Sequence, residues 1–187
     1  MKQVADSETS ELLKIARECL GIPGDFVELG CYEGDTSLLL AELLRNTKTD
    51  KRLWIYDSFE GLPAKTSEDY SAAGEAFQEG VLAVSKREVK ARFLRAGLPV
   101  PVIKKAWFAD LTDADMPSEI AFAFLDGDLY DSIRDSFKVI GGKVAAGGKI
   151  IVHDYNNPEL PGVTKAVDEW IGARKMAVRD SIAIITA

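Results

Sequence analysis

The chain has 187 residues, a formal net charge of −7 and a pI near 4.9, with 47% apolar and 28% charged residues. That length suffices for one properly buried core, and an acidic chain with no basic run longer than a pair excludes duplex nucleic acid as a partner. No window of about eighteen apolar residues offers a membrane span, and the polar start Met-Lys-Gln-Val-Ala-Asp-Ser-Glu has no signal core, so the cytoplasm is the default location.

In chain order, residues 8–20 place Leu12, Ile15, Ala16 and Cys19 on one helical face. Thr9 or Ser10 is the expected N-cap, with Gly21 and Pro23 as the stop. A strand from Asp25 to Leu29 meets Gly30 and Gly34, and Thr36-Ser37 opens a helix through Leu44. Such a strand, glycine turn and helix turn backbone N–H groups toward a ligand at the helix N-terminus. A second strand, Arg52 to Tyr56, ends at Asp57. A long polar stretch, Ala64 to Gly80, precedes helical character at 81–96, which Gly97-Leu98-Pro99 stops. A third strand is expected over Val100 to Phe108, ending at Asp110. The continuous apolar run Ile120 to Leu125 is a strand covered on both faces, ending at Asp126-Gly127-Asp128. A helix over Tyr130 to Val144 follows, and Gly147-Gly148 turn into a strand, Lys149 to Val152, that ends at His153-Asp154. A helix from Val163 to Ile171 and two short strands, 175–179 and 182–186, close the chain. Cys19 and Cys31 are packing residues by spacing, and His153 is the only histidine.

Alternating strands and helices predict an α/β fold, a mostly parallel seven-stranded sheet with helices on both faces. The expected order is 3-2-1-4-5-7-6, with the last strand antiparallel and the whole chain, 1–187, one domain. Ligands of such sheets bind beyond the C-terminal strand ends. Every parallel strand here delivers a glycine turn or an acid to that edge: Gly30, Asp57, Asp110, Asp126 with Asp128, and His153 with Asp154. Asp57 lies 27 residues after Gly30, a spacing suited to an acid on ribose hydroxyls. Tyr32 stands where a dinucleotide turn needs its second glycine, which argues for a ribonucleoside without a diphosphate. Asp126, His153 and Asp154 are candidate ligands of a divalent cation, which would lower the pKa of a bound hydroxyl. Alternatively, Asp126 caps the next helix and His153 is a hydrogen-bonded strand-end residue.

The segments Glu28-Leu-Gly-Cys-Tyr-Glu-Gly34, Tyr56-Asp-Ser-Phe-Glu-Gly-Leu-Pro63, Leu125-Asp-Gly-Asp-Leu-Tyr-Asp-Ser132 and Gly148-Lys-Ile-Ile-Val-His-Asp-Tyr155 resemble the macrocin O-methyltransferase family from about Gly24 to Trp170. The glycine turn and the last acid pair are also similar to catechol O-methyltransferase. The resemblance implies a Rossmann-like class I methyltransferase that carries S-adenosylmethionine and methylates a small-molecule hydroxyl, on a sugar or glycosylated natural product. It implies that Glu28, Gly30, Tyr32, Gly34 and Thr36 surround the methionine end of the cofactor, that Asp57 and Ser58 hold the ribose, and that the Phe108-Ala-Asp110 strand end lies by the adenine. Asp126 adjoins the cofactor and is a candidate base, and Asp126, His153 and Asp154 fall at the metal positions. The family has Asp-Asp-Tyr where this chain has His153-Asp154-Tyr155. That leaves open Mg²⁺, a borderline metal such as Mn²⁺ or Fe²⁺, or a metal-free site with His153 as catalytic base.

An N-terminal helix within 1–21 and less chain before the first strand than in the family imply a reduced lid over the acceptor. Residues 64–97, above all Ala64 to Gly80 with Phe59 and Tyr70, are the expected acceptor-covering insertion. Two other readings compete: an S-adenosylmethionine-binding regulatory module without catalysis, and a nicotinamide-dependent oxidoreductase, against which Tyr32 speaks. A homo-oligomer is left open.

Overall fold

In the computed structural model, which describes residues 4–187, seven strands form one sheet in the order β3-β2-β1-β4-β5-β7-β6. The strands are β1 Asp25–Leu29, β2 Leu53–Asp57, β3 Val102–Lys105, β4 Ile120–Leu125, β5 Val144–Val152, β6 Lys175–Arg179 and β7 Ile182–Thr186. The helices are α1 Asp6–Glu18, α2 Asp35–Thr47, α3 Lys86–Arg95, α4 Tyr130–Ile140 and α5 Pro161–Ile171. Neighbours from β3 to β5 pair in parallel, and β7 runs antiparallel to both β5 and β6. The expected order and strand directions hold.

Side-chain alternation along the buried strands sorts the core into two layers. Val27, Leu29, Ala123, Leu125, Ile150 and Val152 face α4 and α5, joined by Ile133, Phe137, Val163 and Val167. Phe26, Phe122, Phe124 and Ile151 face the other way and pack with Leu12 of α1, Leu40 and Leu44 of α2, and Phe93 of α3. Burying each such side chain contributes roughly 1.5–3 kcal/mol. Phe137 stacks on Trp170 at 4.1 Å between ring centres, which ties α4 to α5. Cys19 and Cys31 are free, buried packing residues, as expected.

Several element bounds differ from expectation, each for a local reason. Helix α1 starts at Asp6, not after Thr9 or Ser10, because Glu8 reaches back and accepts the Ala5 N–H at 3.1 Å. Helix α3 starts at Lys86 rather than 81: Ser85 and Glu88 exchange side chain-to-backbone hydrogen bonds, a capping box that fixes the first turn. Strand β3 ends at Lys105, not Phe108, because its partner β2 ends at Asp57, whose carbonyl takes the Ala106 N–H at 3.0 Å. Asp110 therefore sits in a short 3-10 turn, Phe108–Asp110, instead of at a strand end. Helix α4 stops at Ile140, before Gly141-Gly142, rather than at Val144. Gly147-Gly148 are not a turn before the strand but lie inside β5, where the register against β4 slips and Gly147 takes φ +82°. Pro161 opens α5 two residues before the expected Val163, its fixed φ suiting the first helical position.

The stretch Ala64 to Gly80 is an ordered loop closed on itself. Leu62 donates its N–H to the Val81 carbonyl at 2.8 Å and accepts the Gly80 N–H at 2.9 Å. Asp69, 1% exposed, docks the loop on the helices. One of its oxygens accepts the Tyr130 N–H at the start of α4 at 2.7 Å; the other accepts the Thr66 N–H and hydroxyl at 2.9 and 2.8 Å. Lys165 of α5 pairs with Glu68, and Ser71 donates to the Pro158 carbonyl at 2.6 Å. Replacing Asp69 with Ala strands the Tyr130 N–H. We expect Asp69→Ala to cost about 1–3 kcal/mol in urea unfolding and to open residues 64–80 to proteinase K.

Candidate active site

The C-terminal strand ends meet because β1 and β4 approach closely beyond their last pair. Asp126 donates its N–H to the Leu29 carbonyl at 2.9 Å, and a Cβ on Gly30 would fall 2.0 Å from the Asp126 carbonyl oxygen. Only glycine fits there, and its φ of +92° suits glycine as well. Beyond this contact the backbone is held in sparsely populated conformations: Tyr32, Phe59, Leu82, Asp128 and Asp154 all have positive φ. Such residues gather where a surrounding structure aims groups into a site.

Two cavities open along this edge. The first, about 240 Å³, is lined by Asp57, Ser58, Leu62, Ala106 to Ala109, and Gly127 to Asp128 among others. The second, about 50 Å³, is lined by Glu28, Cys31, Glu33 and Thr36 at the start of α2. Gly30, Tyr32, Leu82, Asp126 and Asp128 border both, so the two are halves of one cleft. Leu82 reaches it from the end of the closed 64–80 loop.

Most of the residues singled out in the sequence converge here, with different duties in some cases. Asp57 braces the glycine turn: one oxygen accepts the Cys31 and Tyr32 N–H groups at 2.9 and 3.2 Å, the other the Phe59 N–H at 2.7 Å. Ser58 donates to the Gly61 carbonyl at 2.9 Å. Gly34 caps α2 with φ +83° and borders neither cavity. Asp110 is exposed, and its neighbours Ala106 to Ala109 do the lining. His153 and Asp154 lie behind Asp126, with Nδ1 of His153 3.0 Å from Asp126 Oδ1 and 2.9 Å from Asp154 Oδ2. Asn157 steadies Asp154 through a 2.7 Å hydrogen bond.

Asp128, named in the sequence beside Asp126 but given no role there, borders both cavities. Two contributors escape a reading by motif. Asp69 fixes the start of the helix that follows Asp128. Glu8, from α1, sits 3.4 Å from Nε2 of His153. The sequence does carry a signal for Glu8: it lies four residues before Leu12, an acid on the apolar face of its helix.

The electrostatics are dominated by carboxylates sharing a small volume. Burial pushes Glu28 up to about 8, with Asp126 and Asp57 adding to the rise and the Ser37 hydroxyl opposing it. Burial and the charges of Asp126 and Asp154 push Asp128 well above the usual carboxylate range. For His153, burial alone would favour the neutral ring, but the charges and hydrogen bonds of Asp126 and Asp154 win and push it up to about 12. Asp154 moves the opposite way: the contact with His153 outweighs burial and holds it low. Asp126, His153 and Asp154 each offer one ligand atom, all within 4.8 Å of one another. Two carboxylate oxygens and one imidazole nitrogen at such distances fit a small divalent cation.

Glu28 makes the raised carboxyl measurable. The folded state keeps a proton that the unfolded chain releases near 4.5, so between about pH 4.5 and about pH 8 the folded state binds more protons and stability falls as pH rises. A pKa that differs by one between folded and unfolded chain is worth about 1.4 kcal/mol. Glu28→Gln removes this pH dependence. Its melting temperature relative to wild type should rise from about pH 5 to about pH 8 in calorimetry and level off above, and a constant difference across that range would contradict the assignment.

The profile of the family described as macrocin-O-methyltransferase (TylF) matches residues 9–185. The 8-demethyl-8-(2,3-dimethoxy-alpha-L-rhamnosyl)-tetracenomycin-C 4'-O-methyltransferase of Streptomyces olivaceus is 35% identical over 141 residues, which cover 72% of this chain and 54% of the relative. Demethyldecarbamoylnovobiocin O-methyltransferase of Streptomyces niveus is 32% identical over 170 residues, 84% of this chain and 64% of the relative. This chain thus spans less than two thirds of the length of these curated relatives. Among solved structures, the O-methyltransferase NovP superposes with a TM-score of 0.85 at 28% identity, over 99% of this chain and 81% of NovP. The calicheamicin methyltransferase CalS11 shares the fold at a TM-score of 0.78 and 19% identity, over 97% of this chain and 80% of its own. With the sheet order, the cleft and the profile in agreement, the chain belongs to the macrocin O-methyltransferase family.

Proposed function

We propose that this protein is an S-adenosylmethionine-dependent O-methyltransferase acting on a hydroxyl of a small molecule, of the sugar or glycosylated natural-product class, with help from a divalent cation. The observation that carries the reading is the divided cleft: an elongated site pinched at Gly30 and Asp126, with the carboxylate–histidine cluster directly behind the pinch. S-adenosylmethionine would supply the methyl group, and a cation held by Asp126, His153 and Asp154 would favour the deprotonated acceptor oxygen. Both relatives named above carry O-methyltransferase names and act on elaborate natural products by those names.

The chain's own residues then divide the work. The larger cavity suits the nucleoside, with Asp57 and Ser58 at the ribose and Ala106, Trp107 and Phe108 offering an apolar wall to the base. The smaller one suits the amino-acid end, lined by Glu28, Tyr32 and Thr36. Asp126 stands between them. Both ring nitrogens of His153 face carboxylates, so the ring has no lone pair turned to an acceptor and serves as part of the cluster rather than as base. Asp126 is likewise committed to His153. Asp128 borders both cavities and is our choice for the proton acceptor. The closed loop of residues 64–80 and Leu82 form the cover on the acceptor side, and most of the catalytic benefit lies in aligning oxygen, methyl carbon and sulfur.

Titration calorimetry with S-adenosylhomocysteine should show saturable micromolar-range binding, and incubation with S-adenosylmethionine and deoxysugar-bearing acceptors should give methylated product by mass spectrometry. No binding of either cofactor form would overturn the reading. Asp128→Asn should lower kcat at saturating cofactor by ~10²–10⁴-fold, the range for removing a general base. A variant as active as wild type would remove Asp128 from that role.

A further inference from the structure

Glu8 lies outside both cavities, yet it is among the few buried charged side chains of the described residues, at 7% exposure. Its two oxygens are divided. Oε1 accepts the hydroxyl of Ser181, in the turn between β6 and β7, and the Ser181 N–H at 3.4 Å. Oε2 accepts the Ala5 N–H at 3.1 Å and faces Nε2 of His153 at 3.4 Å. A carboxylate only accepts, so this last contact places a hydrogen on Nε2. The neutral ring with its hydrogen on Nε2 presents its lone pair at Nδ1.

Nδ1 is also the atom on which two carboxylates converge, Asp126 at 3.0 Å and Asp154 at 2.9 Å. A single N–H cannot be directed at two oxygens from different strand ends with good geometry at both. A cation between the three atoms can satisfy all of them: with metal–ligand bonds of about 2.1 Å, adjacent ligands of an octahedral ion stand about 3 Å apart. A carboxylate on the far nitrogen of a ligating histidine is the usual support for such a ring, because it fixes both tautomer and tilt.

We propose that Glu8 is a positioning residue for His153, and that the ring it orients makes Asp126, His153 and Asp154 a site for a borderline divalent cation of the Mn²⁺ type in preference to Mg²⁺. The use of such an ion in methyl transfer rests on the function proposed above; the ligand assignment does not. Mg²⁺ favours oxygen donors and gives up water reluctantly, whereas the first-row transition ions accept imidazole nitrogen, with affinity rising from Mn²⁺ toward Cu²⁺, so Mn²⁺ is the mildest probe of the nitrogen ligand. Binding replaces an Nδ1–H bond by a cation–nitrogen bond and releases that proton to solvent, while the Nε2 hydrogen stays on Glu8.

The test uses the full chain, with Mn²⁺ and Mg²⁺ as probes. Electron paramagnetic resonance follows loss of the free Mn²⁺ signal, and its pulsed form reads nitrogen coupling at the bound ion. The expected result is bound Mn²⁺ with nitrogen coupling, displaced by Mg²⁺ only at tenfold or greater excess in affinity terms. His153→Asp should abolish the coupling and erase the preference. Glu8→Gln should weaken Mn²⁺ binding by roughly 10–100-fold, the usual loss for a supporting partner. In the His153→Asp background the same change should do little, because Glu8 acts through the ring. Should Glu8→Gln fail to fold, the wild-type coupling and the His153→Asp comparison still decide. Equal competition by Mg²⁺, no nitrogen coupling, or an equal Glu8→Gln effect with and without His153 would overturn the proposal. S-adenosylhomocysteine binding, measured on the same wild-type samples, separates the two readings. Bound S-adenosylhomocysteine with no Mn²⁺ preference defeats the ligand assignment alone. Mn²⁺ preference with no S-adenosylhomocysteine bound upholds the ligand assignment and defeats methyl transfer.

Discussion

The close approach of β1 and β4 past their last pair is the constraint on which the rest of the edge depends. Without a side chain, Gly30 lets the Asp126 carbonyl come within a distance that any Cβ would forbid. The two chains then diverge, β1 into the α2 turn and β4 into α4, and the gap between them becomes the pinch of the cleft. Asp126 and Asp128 take their places from that divergence. Asp57 grips the turn leaving Gly30, and Asp69 grips the helix that follows Asp128. Asp126 is left facing back toward His153.

Charge is the second organising factor, and it sets limits that packing alone would not. Glu8, Asp126 and Asp154 contact the single histidine, and Glu28, Asp57 and Asp128 line the cleft in front of it, so acids outnumber bases at this edge. The adjustment runs residue by residue: burial raises Glu28, the contact with His153 holds Asp154 low, and Asp126 and Asp154 raise the ring. A site built this way favours positively charged occupants. S-adenosylmethionine, the cofactor of the proposed function, carries sulfonium and ammonium groups and has this character.

The architecture is legible in the sequence because the strongest signals are long-range and redundant. The apolar run Ile120 to Leu125 reads as a doubly covered strand, and the glycine turn after β1 and the acids at the ends of β2, β4 and β5 gather on one edge. Boundaries are less legible wherever a side chain decides them from a distance of a few residues. Glu8 pulls α1 forward by capping it, Ser85 delays α3, and the end of β2 shortens β3, which no pattern within 100–108 records. The glycine pair at 147–148 reads as a turn because a bulge and a turn place the same demand on the backbone. The site divides in the same way. Residues belonging to contiguous motifs, such as Asp57 and His153-Asp154, are recognisable, whereas Glu8 joins the site from a helix whose sequence shows only amphipathicity. Even among the recognised residues, Asp57 braces the turn as well as lining the larger cavity, a second duty that spacing does not encode.

The union of Glu8 with Ser181 has a consequence for how the protein comes into being. The two residues are 173 positions apart, one in the first helix and the other in the turn of the closing hairpin. On a ribosome, the sheet from β1 to β5 can emerge and begin to pack before that hairpin exists, since chains fold from the N-terminal side as they are made. The Glu8 carboxylate would then wait without its hydroxyl partner, and His153 without a firmly held neighbour. The contact that fixes Glu8 beside His153 therefore forms only when the β6–β7 hairpin docks, after the centre of the sheet.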